Sequence, residues 1–496
     1  MLKNIILYSI YKNGIIMSKV QKLLTAFSIA IMSFLVACSA GTSSVNYGQL
    51  YSYGESASYT LPEIKKSAYD TICFGMESIS SECQSNLTNL QSSYGFSINS
   101  IESNSSGATG VSAYNITYNS PGLTTDGKLN YTNRTVSGAV YIPKDVPISK
   151  IKGIILYYHP TTYNSNEYSH EMDAINGVKY PSLYAINGYI VVLPDLLGFG
   201  ADNTEMHPYI YPSVNVMAGI NMLKATNELL SKLGKSYTNK PLILNGFSEG
   251  GMLSQKASYM IQNNQVSLDG TNTHLAFTVP MSGAFVIKSV QTSMEYSNLN
   301  TSNNEFLIES QSEAAIAKPG LIVYATTSYN YYNNGTSCSQ VLNDDFCNLE
   351  YDGKSTTVNQ IMMDKSLSTA VIQDLLWEHA ENVNGYSINN NSISLLTQHP
   401  VATAFTQAYY AIGLFDWKTT SPISYIHLSR DSLVSPYNSM IAYVSVMERS
   451  DASIVKKYEI QNNDYVIGHN HIPIDHNNPI MYIAALSLVN DFMSNI

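Results

Sequence analysis

Between residues 153 and 279 the chain alternates unbroken apolar runs of strand length with amphipathic runs of helix length. Residues 153–158 and 189–193 carry apolar side chains at nearly every position, the pattern of strands buried on both faces. Residues 213–233 place Val216, Ile220, Leu223, Leu230 and Leu233 at helical spacing, and Gly234 supplies the stop. A third apolar run, 241–245, leads through a glycine-rich turn into an amphipathic segment at 252–261, and 275–279 is a further strand. Ahead of these, 111–118 and 135–142 alternate apolar and polar residues with Asn, Gly and Asp between them, as an antiparallel pair would. Strands alternating with helices predict an α/β fold: a mostly parallel sheet covered by helices on both faces.

The period changes after residue 286. Residues 287–410 contain helical stretches at 366–379 and 401–412 and one strand candidate at 321–325. Lying between one strand of the sheet and the next, this insertion reads as a largely helical cap over the sheet's C-terminal edge. The sheet resumes at 422–428 and 454–460. A last helix spans 479–493, with Asn478 as N-cap and Pro479 at the first helical position. The expected organisation is a signal peptide at 1–37, a tether and disulfide-stapled segment at 38–110, a first part of the core at 111–286, the cap at 287–410, and a second part of the core at 411–496.

Composition narrows the setting. At 496 residues, 44% hydrophobic and 13% charged, the chain can bury a large core. A net charge of −11 without a basic cluster argues against a nucleic-acid partner. At the N-terminus Lys19 and Lys22 precede a short apolar run, 23–36, that ends in small residues, the pattern of an export signal. Met17 is a natural start for it. The run closes on Leu35-Val36-Ala37-Cys38, which resembles the lipobox of bacterial lipoproteins. That resemblance implies acylation of Cys38 and a lipid anchor in the cell envelope, facing periplasm or exterior. In an oxidising compartment the remaining cysteines fall into two close couples, Cys73 with Cys83 and Cys338 with Cys347, and local disulfides are expected. No histidine stands near either couple at zinc-ligand spacing. No membrane-spanning segment is expected in the mature chain.

The candidate chemistry centres on Gly246-Phe247-Ser248-Glu249-Gly250-Gly251, in strand–turn–helix context. To lift a hydroxyl clear of a sheet edge the backbone at Ser248 must bend sharply, and the neighbours two positions away must lack Cβ atoms. Gly246 and Gly250 meet that need. A serine hydroxyl requires a base, itself oriented by an acid. Asp431 follows the strand at 422–428 and is the expected acid. The base is expected in the loop before the last helix, where His469, His471 and His476 crowd together; His476, nearest the helix start, is preferred, with His471 and His469 as alternatives. Two backbone N–H groups should receive the oxyanion: one from Glu249 and one from Thr161, since Pro160 has none. His159 reads as a structural hydrogen-bonder in that loop. Neither a metal nor another cofactor is expected.

With these residues in order the chain resembles the capped α/β-hydrolases that include bacterial and fungal secretory lipases and related lipoprotein esterases. The resemblance rests on residues 246–251, His207-Pro208-Tyr209, Pro194-Asp195 with its glycine-rich follow-on, Asp416-Trp417 and the Asp431 segment, and spans about residues 111–496. His159-Pro160 stands where members usually carry His-Gly. The resemblance implies a serine carboxyl-ester hydrolase acting on a small-molecule or lipid ester. Two alternatives remain open: a surface-anchored binding protein on a hydrolase scaffold, and a peptidase or amidase using the same triad.

Overall fold

The unbroken apolar runs become the inner strands of one sheet. A computed structural model describes residues 45–72, 88, 92, 106–125, 131–163, 180–288, 311–333, 335–382, 400–429, 431, 433–461 and 480–496. Its strands are β1 (Leu50–Thr60), β2 (Gly110–Leu123), β3 (Tyr131–Pro143), β4 (Gly153–Tyr158), β5 (Tyr189–Pro194), β6 (Lys240–Phe247), β7 (Thr273–Met281), β8 (Asn348–Tyr351), β9 (Lys354–Thr357), β10 (Ile423–Leu428) and β11 (Val455–Ile460). Among the described residues the main sheet runs β1-β2-β3-β5-β4-β6-β7-β10-β11, while β8 and β9 pair separately. The pairs from β1 to β5 are antiparallel and all pairs from β5 to β11 are parallel. From β4 the chain goes to β5 on one side and later returns to β6 on the other. This divergence leaves a crevice at the carboxyl ends of β4 and β6, where open sheets of this kind bind ligands.

The helices are α1 (Leu61–Ile72), α2 (Tyr180–Ile186), α3 (Pro212–Lys232), α4 (Glu249–Gln262), α5 (Gln311–Tyr331), α6 (Asp344–Cys347), α7 (Val358–Met363), α8 (Thr369–Asn382), α9 (Pro400–Tyr410), α10 (Tyr437–Arg449) and α11 (Ile480–Ser494). Every residue of β4, β5 and β10 is buried, as their patterns required. The largest fully buried side chains are mostly tyrosines; the chain has 38 of them against 13 phenylalanines. Several of their hydroxyls reach polar partners inside the protein. Tyr158 Oη donates to Val216 O at 3.2 Å and Tyr118 Oη to Ala218 O at 3.1 Å, both on α3. On α11, Tyr157 Oη bonds Tyr482 Oη at 3.2 Å, and Tyr189 Oη donates to Asn490 Oδ1 at 2.9 Å. No helix of the described residues is long and apolar enough to cross a membrane.

The insertion between β7 and β10 is mostly helical, as expected, with one correction. The strand candidate at 321–325 lies inside α5. Ile322, Val323, Tyr324 and Ala325 are all buried, and a helix enclosed on every side shows no apolar stripe to tell it from a buried strand. A second difference concerns the stretch read as tether. Residues 50–60 form β1 and pair antiparallel with β2 along the sheet edge. Most of β1 is exposed, so its sequence, rich in Ser, Tyr and Glu, shows no alternation to announce a strand.

Cys338 and Cys347 form a disulfide within the insertion. Cys38, Cys73, Cys83 and the signal segment lie outside the described residues. By the loop-closure argument a crosslink over nine residues of separation stabilises by about 2–3 kcal/mol. Replacing both Cys338 and Cys347 by serine should therefore lower the unfolding free energy by about that amount, read from the shift in urea midpoint at unchanged slope.

Candidate active site

β6 runs straight into the turn that carries Ser248. Ser248 adopts φ 56° and ψ −117°, left-handed for a residue with a side chain. It is held there by its N–H, which donates to Met281 O at the end of β7 at 2.9 Å. Its hydroxyl makes no capping bond to α4. The reason only glycine serves on either side is explicit: a Cβ at Gly246 would overlap the backbone of Gly250 and of Tyr158, and one at Gly250 would overlap the carbonyls of Tyr158 and His159. Turn, helix start and the end of β4 are in backbone contact.

Above this turn lies a cavity of about 160 Å³ lined by Ser248, Glu249, Pro160, Thr161 and residues of the insertion, among them Leu321, Thr369, Gln373, Tyr409 and Ile412. Ser248, Glu249 and Thr161 are thus brought together. The loop bearing Thr161 is set by His159, which is buried with its ring nitrogens 2.7 Å from Pro160 O and 3.1 Å from Asp195 O. Burial lowers the basicity of that imidazole, which suits a structural role.

Asp431 follows β10 and its carboxylate is fully buried. Oδ1 accepts from the amides of Leu433 at 3.1 Å and Val434 at 2.8 Å. Oδ2 lies 3.2 Å from Nε2 of His427, a residue of β10 itself. His427 Nε2 also faces Val434 O at 2.8 Å, and Nδ1 faces Ser439 Oγ at 2.7 Å. One neutral tautomer, protonated at Nε2 and accepting at Nδ1, satisfies all of these contacts. Asp431 is therefore held rigidly, and the two residues after its turn, Leu433 and Val434, line the cavity. His469, His471 and His476 lie outside the described residues, between β11 and α11.

The fold as a whole agrees with solved structures. No protein-family model matches the chain, and no curated protein sequence does. The rice cell wall degrading esterase LipA from Xanthomonas oryzae superposes with a TM-score of 0.58 at 18% identity, covering 90% of this chain and 98% of that one. A protein from Legionella pneumophila covers the same shares at 17% identity, with a TM-score of 0.56. The chain has the α/β-hydrolase fold. In that fold the nucleophile sits at a strained strand-to-helix turn, the acid and the base follow in that order along the chain, and oxyanion donors come from the residue after the nucleophile and from an early strand–helix loop. In this chain Ser248 stands at the turn after β6, Thr161 in the loop after β4 and Asp431 after β10.

The α/β-hydrolase core holds two groups whose contacts the sequence did not announce. His427 is one polar residue in a strand buried at every position. His207, in the His-Pro-Tyr segment, lies 2.9 Å from the side chain of Glu249, and no spacing rule links residues 42 positions apart. The Pro194-Asp195 segment also gains a physical role. Asp195 Oδ2 accepts from Ser137 Oγ at 2.5 Å, and that hydroxyl in turn accepts from Ala201 N at 2.8 Å. Burial pushes the Asp195 carboxyl up to about 8. Unfolded, it titrates near the ordinary value of ~3.9. Between these values the folded chain holds the extra proton, so this group makes stability fall as pH rises from ~4 toward 8. Asp195→Asn cannot titrate. Its melting temperature relative to wild type should rise steadily from pH 5 to pH 8; a constant difference across that range would refute the assignment.

Proposed function

We propose that this protein is a serine carboxyl-ester hydrolase. The observation that carries the reading is Ser248, held at left-handed φ with its hydroxyl uncapped, in a cavity shared with Thr161 and Glu249. Asp431 is fixed by two amides and His427 within reach of that wall. On this reading a histidine of the last loop, His476 before His471 or His469, takes the Ser248 proton as the oxygen attacks the ester carbonyl, while Asp431 orients its ring. The oxyanion accepts from the Glu249 and Thr161 amides. The imidazolium then returns the proton to the departing alcohol, leaving an acyl-enzyme that water cleaves by the same steps.

Cavity size supports a preference within the ester class. An apolar cavity of about 150 Å³ takes up benzene, so the 160 Å³ found here suits an acyl chain of a few carbons better than a long fatty acid. The wall toward Met252, Ile287 and Ile412 is apolar, whereas Thr369 and Gln373 of α8 bring polar groups. The export signal and the Leu35–Cys38 sequence support placement in the cell envelope through a lipid on Cys38, an oxidising setting in which the Cys338–Cys347 bond persists.

Ser248→Ala should abolish both covalent labelling by a fluorophosphonate and hydrolysis of p-nitrophenyl butyrate without lowering the melting temperature. Butyrate should exceed palmitate in kcat/KM by roughly tenfold or more. Asp431→Asn should cost about four orders of magnitude in kcat. Of His469, His471 and His476, changed one at a time, a single variant should match Ser248→Ala; near-full activity in all three would exclude the triad. A wild-type protein that takes up no fluorophosphonate would instead favour a binding role. For the anchor, cells fed a labelled fatty acid should incorporate it into wild type and not into Cys38→Ala.

A further inference from the structure

Glu249 faces two ways. Its backbone N–H is the oxyanion donor of the reading above, on which this inference rests. Its side chain turns into the protein, 2% exposed, with Oε1 2.9 Å from Nε2 of the wholly buried His207. The other ring nitrogen, Nδ1, lies 2.7 Å from Leu197 O. A carbonyl can only accept, so Nδ1 carries its hydrogen. A single hydrogen then bridges Nε2 and Oε1. The ring is gripped on its faces as well. Phe199 stacks on it at 4.8 Å with planes 26° apart, and Tyr324 of α5 at 5.7 Å with planes 21° apart.

We propose that His207 is a positioning residue for ester hydrolysis, acting through the Glu249 carboxyl group to aim the Glu249 N–H at the developing oxyanion. The first N–H groups of a helix have no partner within it, so the Glu249 N–H can serve a ligand, while its peptide plane is held through Ser248 O, which accepts from Met252 N at 3.1 Å. The Glu249 side chain, bonded to a ring that two hydrogen bonds and two aromatic faces immobilise, ties that first turn of α4 to the core. Because Tyr324 belongs to the insertion, packing of α5 onto the core becomes part of the oxyanion hole. A donor swung out of line loses transition-state stabilisation while leaving ground-state binding largely intact.

The test uses the full-length protein, with turnover normalised to sites titrated to completion by fluorophosphonate. His207→Phe keeps the ring stack but deletes both hydrogen bonds, and Glu249→Leu deletes the carboxyl group. Each should lower kcat for p-nitrophenyl butyrate by roughly ten- to hundredfold with KM nearly unchanged. Each should also weaken an alkylboronic acid, whose adduct places an oxygen in the oxyanion hole, by a similar factor. Glu249→Gln can still donate to Nε2 of a neutral His207, and it should recover most of the loss seen in Glu249→Leu. Since His207→Phe buries a carboxyl group without its partner and can unfold, the double variant His207→Phe/Glu249→Leu decides the matter. A double variant that melts near wild type yet remains slow and binds the boronic acid weakly supports the proposal. One that regains wild-type kcat per site along with its melting temperature shows a structural role only and overturns it. Failure of the underlying esterase reading looks different: wild type would take up no fluorophosphonate, or Ser248→Ala would keep turning over.

Discussion

The sheet edge that carries Ser248 depends on how closely three pieces of backbone approach one another. Where β6 ends, where α4 begins and where β4 stops, main-chain atoms touch with no room for a Cβ at Gly246 or Gly250. This contact is what leaves Ser248 at φ 56°, a conformation costing of the order of 1–3 kcal/mol for such a residue. The turn cannot relax, because Ser248 N–H is tied to β7 and the flanking strands are pinned by buried side chains on both faces. Rigidity of the sheet is thereby transmitted to one hydroxyl. Asp431 shows the same logic two strands away, its carboxylate held by its own turn and by a histidine of the strand it follows.

The insertion is fastened to the core by polar and aromatic contacts as well as by apolar packing. Tyr331 of α5 donates to Glu205 Oε2 at 2.6 Å, and Glu205 pairs with Arg134 of β3 at 2.6 Å. Lys365, between α7 and α8, sits 4.8 Å from the centre of the Phe199 ring. Burial pulls its amine down to about 8, and the charge of Asp202 partly opposes that shift. Phe199 is therefore covered by a cation on one contact and by His207 on another. Core and insertion share these contacts, so neither is set independently of the other.

Much of this was legible in the sequence because its strongest signals are local. The inner strands, α3 and the elbow each announce themselves within one window of residues, and the steric demand on Gly246 and Gly250 follows from the turn alone. Legibility fails where burial is complete or absent. Residues 321–325 are enclosed on all sides and lack a period; β1 is exposed along most of its length and lacks one too. The polar pairs fail for another reason. His207 and Glu249 meet only because loop paths bring them together, and His427 and Asp431, though four residues apart, meet only through the way the chain turns at the end of β10. Segments with several histidines, such as 469–476, offer candidates without ranking them.

The buried tyrosines have a consequence for how the chain avoids packing slightly amiss. Runs such as those of β4 and β5 are apolar at every position, so sliding one of these strands along its neighbour exposes nothing and the hydrophobic pattern alone does not choose the alignment. The phenol oxygens do choose it. Tyr157 must meet Tyr482 on one side of β4 while Tyr158 meets Val216 on the other, and Tyr189 of β5 must meet Asn490. A slipped strand would leave these hydroxyls buried without partners, at about 1–3 kcal/mol each. Tyrosine in place of phenylalanine thus serves as an error check, rejecting near-miss arrangements that an all-hydrocarbon interior would tolerate.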